Sequence, residues 1–217
     1  MPVLQGLWLN IRVMLVCELC ILALGLLVAV ARTLRSPVAF PLRLLAAAYT
    51  DLFRGLPLIL VILLLGLGVP GLRLQGMPDS VVVYGGAALV LTYSAYVAEV
   101  FRAGIESVHP SQRAAARSLG LSNAQTMRYV VLPQGIRRVV PPLLNDFTSL
   151  QKDSGLVSIL GAIDAVRAAG IETATSFNFT PYVVAGGLFV LLTIPMTRLT
   201  DWVAARTSRR QGQGGMA

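Results

Sequence analysis

Five long apolar segments, separated by short polar ones, constrain this chain more strongly than any other feature of its sequence. Crossing the hydrocarbon core of a bilayer takes about 20 mostly apolar residues. Charged residues make up only 13% of the 217 residues, whereas a soluble domain is usually about 25% charged. The sequence therefore predicts an all-α polytopic membrane protein with five transmembrane helices, at about residues 13–31, 45–70, 81–103, 139–163 and 182–204.

Arginines are distributed unevenly between the two sides of the membrane that these helices define. Fourteen lie on the side that follows spans one, three and five, counting Arg54, Arg102 and Arg198 in the adjoining parts of the spans. Three lie on the other side: Arg12, Arg73 and Arg167. Because cytoplasmic loops carry the excess of basic residues, we expect the N-terminus outside and the C-terminus in the cytoplasm. Residues 1–210 are expected to form one transmembrane domain, and the polar, glycine-rich residues 211–217 a disordered tail.

The sequence offers no set of residues suited to catalysis or to a metal ion. Cys17 and Cys20 form a C-x-x-C pair inside the first span, but no second Cys or His pair exists to complete a zinc site. The phosphate-binding pattern G-x-x-x-x-G-K-[S/T] does not occur. The net charge of +8 is spread over the loops without a basic stripe interleaved with aromatic residues, so we expect no nucleic-acid binding.

The longest polar segment, residues 102–138, contains the start and stop signals of a short helix. Pro110 blocks continuation of the preceding helix, Ser111 can cap a new one, and Gly120 can end it. A helix over about residues 111–120 is too short to cross a membrane at 1.5 Å per residue. Small side chains at its centre allow another surface to approach its backbone closely: Ala114, Ala115 and Ala116.

The stretch QRAAARSLGLSNAQTMRYVVLPQGIRR, residues 112–138, resembles the cytoplasmic signature of permeases of binding-protein-dependent ABC importers. That signature is Glu-Ala-Ala, then a Gly, then a Leu-Pro further on. Ala115 and Ala116 match the two alanines, Gly120 the glycine, and Leu132-Pro133 the closing pair, whereas Ala114 replaces the family's glutamate. In that family the short helix is a coupling helix that docks in a groove of the ATPase. The resemblance implies that the ATPase contacts are made by Ala114, Ala115, Ala116, Leu119 and Gly120.

Three further stretches resemble the polar amino-acid branch of this family. They are YTDLFRGLPLIL (49–60), AYVAEVFRAGIESV (95–108) and LPQGIRRVVPPLLNDFTSLQKDSGL (132–156). The resemblance, which runs from about residue 10 to 205, implies the permease fold in a bacterial cell membrane and half of a pathway for polar amino acids. It also implies partners: two ABC ATPase chains that bind ATP and Mg²⁺, a second permease subunit and an extracellular solute-binding protein. No cofactor is expected in this chain.

Span four carries polar side chains on one face. Asn145, Ser149 and Lys152 follow helical spacing and could line a pathway for a zwitterion, with Asp153 and Glu99 completing the candidate set. An ionisable group in the membrane core costs about 3 kcal/mol or more, so it is expected to be functional or paired. The alternative is structural, with the only lysine of the chain paired to an acid such as Asp153 or Glu99. Glu99 can likewise pair with Arg102, one turn later.

Two other functions are compatible with the same features. The chain could be an ABC permease for another small solute, such as a quaternary amine. It could also be a membrane anchor or assembly protein without a pathway, although an anchor does not need the polar face of span four. The sequence does not distinguish a homodimer from pairing with a sister permease.

Overall fold

The computed structural model describes residues 2–34 and 36–212, and within them the chain is mainly helical. Its principal helices are α1 (Pro2–Thr33), α2 (Phe40–Gly55), α3 (Leu58–Gly71), α4 (Val81–Glu106), α5 (Pro110–Ser118), α6 (Leu132–Asp153), α7 (Ala165–Ser176) and α8 (Thr180–Gly212). Shorter helical turns connect them: Pro37–Ala39 leads into α2, Asn123–Thr126 and Met127–Val131 lead into α6, and Ser154–Leu160 follows α6. The all-α prediction is confirmed.

Three helices are each long and apolar enough to cross a membrane: α1, α4 and residues Thr180–Thr207 of α8. They contain the segments predicted as spans one, three and five. Helix α1 begins before residue 13 because its first turns are buried, with Val3 and Leu7 packed on Ala165 and Ala169 of α7. Helix α8 continues to Gly212, past the predicted start of the disordered tail, and the rest of that tail lies outside the described residues.

The segment predicted as span two, 45–70, is not one helix in the structure. Helices α2 and α3 are bent by 105° at the break between them. The cause is Pro57, which disfavours the helical conformation in the residue before it, and Leu56 accordingly has an extended ψ of 137°. Asp51, Arg54 and Gly55 come before the break, so the apolar run itself begins only at Leu56. Extending the predicted span back to residue 45 joined two separate helices.

Predicted span four, 139–163, covers most of α6 and the turns after it. Gly161 ends those turns with a φ of +95°, and Asp164 then caps α7, which lies between predicted spans four and five and was not predicted as a helix. The two parts, Asn123–Leu160 and α7, are bent by 51°. If each bent pair counts as one span, the structure has up to five spans, and the number five stays a prediction.

The core of the bundle lies where α4 packs between α1 and α6. Apolar side chains of the three helices meet there: Val13, Met14, Cys17 and Ile21 of α1, Leu89, Tyr93 and Val97 of α4, and Leu150 of α6. Nearer the C-terminal end of α4, a Cβ on Gly104 would lie 3.3 Å from the carbonyl oxygen of Gly135. The two glycines therefore allow the backbones of α4 and α6 to touch, which fixes α6 against the rest of the bundle.

Candidate functional site: the short polar helix and the polar face of α6

Helix α5 lies where the sequence predicts the short helix, with slightly different ends. The predicted cap, Ser111, is wrong: the residue at the cap is His109, whose Nδ1 accepts a hydrogen bond from the Ser111 backbone N–H at 3.2 Å. Pro110 explains the difference, since proline is favoured at the first helical position and moves the cap to the residue before it. At the other end Gly120 has a φ of +84°, so its predicted role as the stop signal is confirmed.

The residues predicted to contact an ATPase do not all point the same way. Ala114, Ala115 and Gly120 are exposed, and Leu119 is 84% exposed. Ala116 is only 4% exposed because it packs against the chain itself. We call the four exposed residues the docking surface: Ala114, Ala115, Leu119 and Gly120. Ala116 is buried and is not part of it.

Hydrogen bonds join α5 to the two helices that flank it. Arg113 donates from Nη2 to the carbonyl oxygen of Ile105, in α4, at 2.7 Å. Gln134, in α6, donates from Nε2 to Oε1 of Gln112 at 3.3 Å. A displacement of α5 would therefore act on α4 and α6 together.

Helix α6 has one open face and one buried face. Asn145 and Lys152 are exposed and Ser149 is half-buried, and these three residues form what we call the polar face. On the opposite side Leu150 and Gln151 are buried. A polar face that is open in the single chain cannot be left against lipid without cost, so it must line water or contact another chain.

Asp153 belongs to the buried side of α6 and not to the polar face. Its Oδ2 accepts a hydrogen bond of 2.7 Å from the hydroxyl of Tyr93 in α4. Within residues 2–34 and 36–212, no carboxylate oxygen lies within 4.0 Å of the Lys152 ammonium. Tyr93 is not among the site residues predicted from the sequence. The available signal was a tyrosine inside an apolar span, whose hydroxyl has to find a partner when buried.

Glu99 is held by arginines from three helices. It forms ion pairs with Arg32 of α1 and with Arg102 at 2.7 Å, and Arg54 of α2 lies 3.7 Å away. The predicted pairing of Glu99 with Arg102 is confirmed. Glu99 also borders an open pocket between α4 and α6 that includes Pro142, one turn before Asn145. Glu99 thus lies beside the end of the polar face. Among the described residues, it forms no hydrogen bond or ion pair with the residues of that face.

Comparisons with known proteins agree with this architecture. A family model described as "Binding-protein-dependent transport system inner membrane component" matches residues 21–209. The chain is 35% identical over 189 residues to the probable glutamine ABC transporter permease protein GlnM of Bacillus subtilis, covering 86% of this chain and 84% of that one. It is 30% identical over 201 residues to the arginine transport system permease protein ArtQ of the same organism, covering 90% and 87%.

Solved structures include chains of the same shape. The crystal structure of an amino acid ABC transporter with histidines matches with a TM-score of 0.86 and 32% identity, covering 94% of each chain. An inward-facing structure of the MetNI methionine ABC transporter matches with a TM-score of 0.69 and 19% identity, covering 94% of this chain and 95% of that one. The second match concerns the fold alone.

Proposed function

The chain belongs to the family of binding-protein-dependent transport system inner membrane components, and from that premise we propose that it forms half of the pathway of an ATP-driven importer of polar amino acids. By family it is a membrane transport subunit and not itself an enzyme. Relatives named for glutamine and arginine, and a structural neighbour named for an amino acid, favour amino acids over a quaternary amine. The same relatives favour transport over an anchoring role.

The docking surface of α5 is the observation that carries the proposal, because it gives a transport subunit a place to meet an ATPase. Ala114 and Ala115 leave their backbone accessible, and the exposed Leu119 offers an apolar side chain for a partner's groove. ATP and Mg²⁺ would bind on that separate partner. Closure of two such ATPases would displace α5, and the hydrogen bonds of Arg113 and Gln112 would carry the displacement to α4 and α6.

The polar face of α6 supports a pathway for a zwitterion. Lys152 has no acid partner among the described residues, so its ammonium is available for the carboxylate of a passing amino acid. Asn145 and Ser149 supply neutral hydrogen-bonding groups on the same side. A second permease subunit would close the pathway, and an extracellular solute-binding protein would deliver the substrate to its outer end. Alternating access then follows from rocking of the two helix bundles around these residues.

Transport by the reconstituted complex tests this function. The chain is purified with the subunits that accompany it, placed in proteoliposomes and supplied with solute-binding protein and with radiolabelled glutamine, arginine or histidine. We expect at least one of them to stimulate ATP hydrolysis and to accumulate inside, with glycine betaine as the control solute. Uptake of betaine but of none of the amino acids would contradict the proposed substrate class. Purification of the chain without any ATPase subunit would contradict the coupling role.

A further inference from the structure

A groove runs along the side of the helix bundle between α1 and α4, away from the polar face of α6. It has a volume of about 400 Å³, and nearly all of its lining is apolar. Its floor is formed where the Cys17 thiol contacts the carbonyl oxygen of Gly86 at 3.6 Å. Val16 and Cys20 on one wall and Ala87 on the other are exposed within the chain.

The groove has the length of one leaflet of a bilayer. Along α1 its lining extends from Leu9 to Cys20, which is about 17 Å at 1.5 Å per residue. The hydrocarbon core of a membrane is about 30 Å thick, so one leaflet is about 15 Å. From Arg12 to Cys20 the groove is about 12 Å long, so it can hold most of one acyl chain of a leaflet.

One end of the groove is basic and lies just before the start of predicted spans one and three. Arg12 and Ser80 line it together, and Ser80 is the cap residue just before α4. The Arg12 guanidinium stacks on Trp8, 5.1 Å from the ring centroid, an aromatic residue of the kind found at bilayer interfaces. In the part of the chain that the structure describes, Arg12 has no carboxylate within 4.0 Å. A free guanidinium beside a hydroxyl suits the oxygens of a phosphate.

We propose that this groove binds a phospholipid, with one acyl chain between α1 and α4 and the headgroup phosphate at Arg12 and Ser80. Charge and length together favour a lipid over a helix of another subunit. An apolar helix in the groove would cover Val16 and Ala87 but would give Arg12 no anion. A phospholipid contacts the apolar walls with its acyl chain and the Arg12 guanidinium with its phosphate.

Photo-crosslinking with a defined lipid tests the site. The full chain, purified with its accompanying subunits, is placed in vesicles that contain phosphatidylglycerol with a diazirine in its acyl chain, and labelled peptides are mapped by mass spectrometry. Phosphatidylcholine with the same acyl chain is the matched lipid. We expect labelling concentrated on residues 9–20 and 80–90, with a preference for phosphatidylglycerol.

Two pairs of variants separate the headgroup contact from the groove itself. Arg12→Gln should lower phosphatidylglycerol labelling about fivefold, the factor expected for one basic residue at an anionic surface. Its control is Arg206→Gln, since Arg206 stacks on Trp202 with the same 5.1 Å distance but does not line the groove. Ala87→Phe should lower labelling by both lipids, whereas Leu19→Phe, at an exposed position of α1 outside the groove, should not.

The same measurements can overturn the proposal. Labelling spread evenly along the exposed side of α1, or labelling that neither Arg12→Gln nor Ala87→Phe reduces, would show that no lipid is held there. Chemical crosslinking of Cys20 to another subunit would show that protein covers the groove, and would overturn the proposal equally. Each outcome is independent of whether the complex transports amino acids.

Discussion

Lys152 and Asp153 are neighbours in the sequence but have different surroundings in the structure. Asp153 accepts a hydrogen bond from Tyr93 inside the bundle, while Lys152 lies on the open side of α6. The spacing of the polar residues predicted which face of the helix would carry Lys152. It could not predict the partner of Asp153, because that depends on how α4 and α6 are rotated against each other.

Removing the charge of Lys152 should impair transport without harming the fold. In Lys152→Met no acid among the described residues loses its partner, so the abundance and melting temperature of the complex should stay unchanged. A charged hydrogen bond is worth about 1.5–3 kcal/mol, so substrate affinity should fall about 10- to 100-fold. The loss of affinity is measured from the dependence of uptake and of ATP hydrolysis on amino-acid concentration. Lys152→Arg is the control variant that keeps the charge. Reduced abundance would instead reveal a structural role, and normal uptake would exclude both roles.

Glu99 should contribute to stability because it neutralises arginines from separate helices. Its side chain is 17% exposed and pairs with Arg32 and Arg102. Glu99→Gln should lower the free energy of unfolding by about 1.5–3 kcal/mol, the range for hydrogen bonds to charged groups. Glu106→Gln is the matched control, since Glu106 is 57% exposed and pairs only with Arg102 among the described residues, and it should cost less than about 1 kcal/mol. Thermal unfolding in detergent compares them, and equal losses from both variants would argue against the interhelical pairing.

At the level of helices, the sequence predicts features that nearby residues determine, such as helix ends. It does not predict features that depend on contacts with residues far away in the chain. The stop at Gly120 lies in the sequence itself, and so does Pro57, which bends α2 against α3, although the predicted span was drawn across it. Helix α7 is different. Its cap residue Asp164 is buried and accepts a hydrogen bond of 3.0 Å from Asn10, far away in the sequence. No local pattern reports that contact. The sequence does carry one local signal for α7, since Oδ1 of Asp164 accepts a hydrogen bond of 2.8 Å from the Arg167 backbone N–H, but it directly follows the segment predicted as span four.

Adjacent alanines of α5 should respond differently to the same substitution. Ala115 is exposed on the docking surface, so Ala115→Arg should leave membrane abundance normal and reduce uptake at least about 10-fold, because a bulky charge prevents a close contact. Ala116 is buried, so Ala116→Arg should lower abundance, since an arginine cannot be enclosed there without a partner. Uptake and immunoblotting of membranes separate the two effects. Normal transport by Ala115→Arg would rule out docking at this surface.

For the molecule as a whole, two surfaces of the single chain are left open. The polar face of α6 is uncovered, and only 6% of an apolar 18-residue stretch of α8 is buried within the chain. Lipid can cover the apolar α8 but not the polar face. A second permease subunit against α6 would enclose Asn145, Ser149 and Lys152 in a common pathway, which is the arrangement that half a transporter requires.

Helix α4 offers the sharpest test of how the whole chain is oriented. It is continuous over Val81–Glu106, about 39 Å at 1.5 Å per residue, which exceeds the roughly 30 Å core of a bilayer. Asp79 and Ser111 lie just beyond its two ends and are both exposed, so they must be on opposite sides if α4 crosses the membrane. Because arginine is in excess after span three, we predict that Ser111 lies on the cytoplasmic side.

Cysteine labelling distinguishes the two orientations. In a background with Cys17 and Cys20 replaced by alanine, Asp79→Cys should react with a membrane-impermeant maleimide in intact spheroplasts. Ser111→Cys should react only after the membrane is opened, because the bilayer separates it from the reagent. Labelling of both after permeabilisation shows that each thiol is reactive. If Ser111→Cys alone reacted in intact spheroplasts, the chain would be inverted and α5 could not meet a cytoplasmic ATPase; if both reacted, α4 would not cross the membrane.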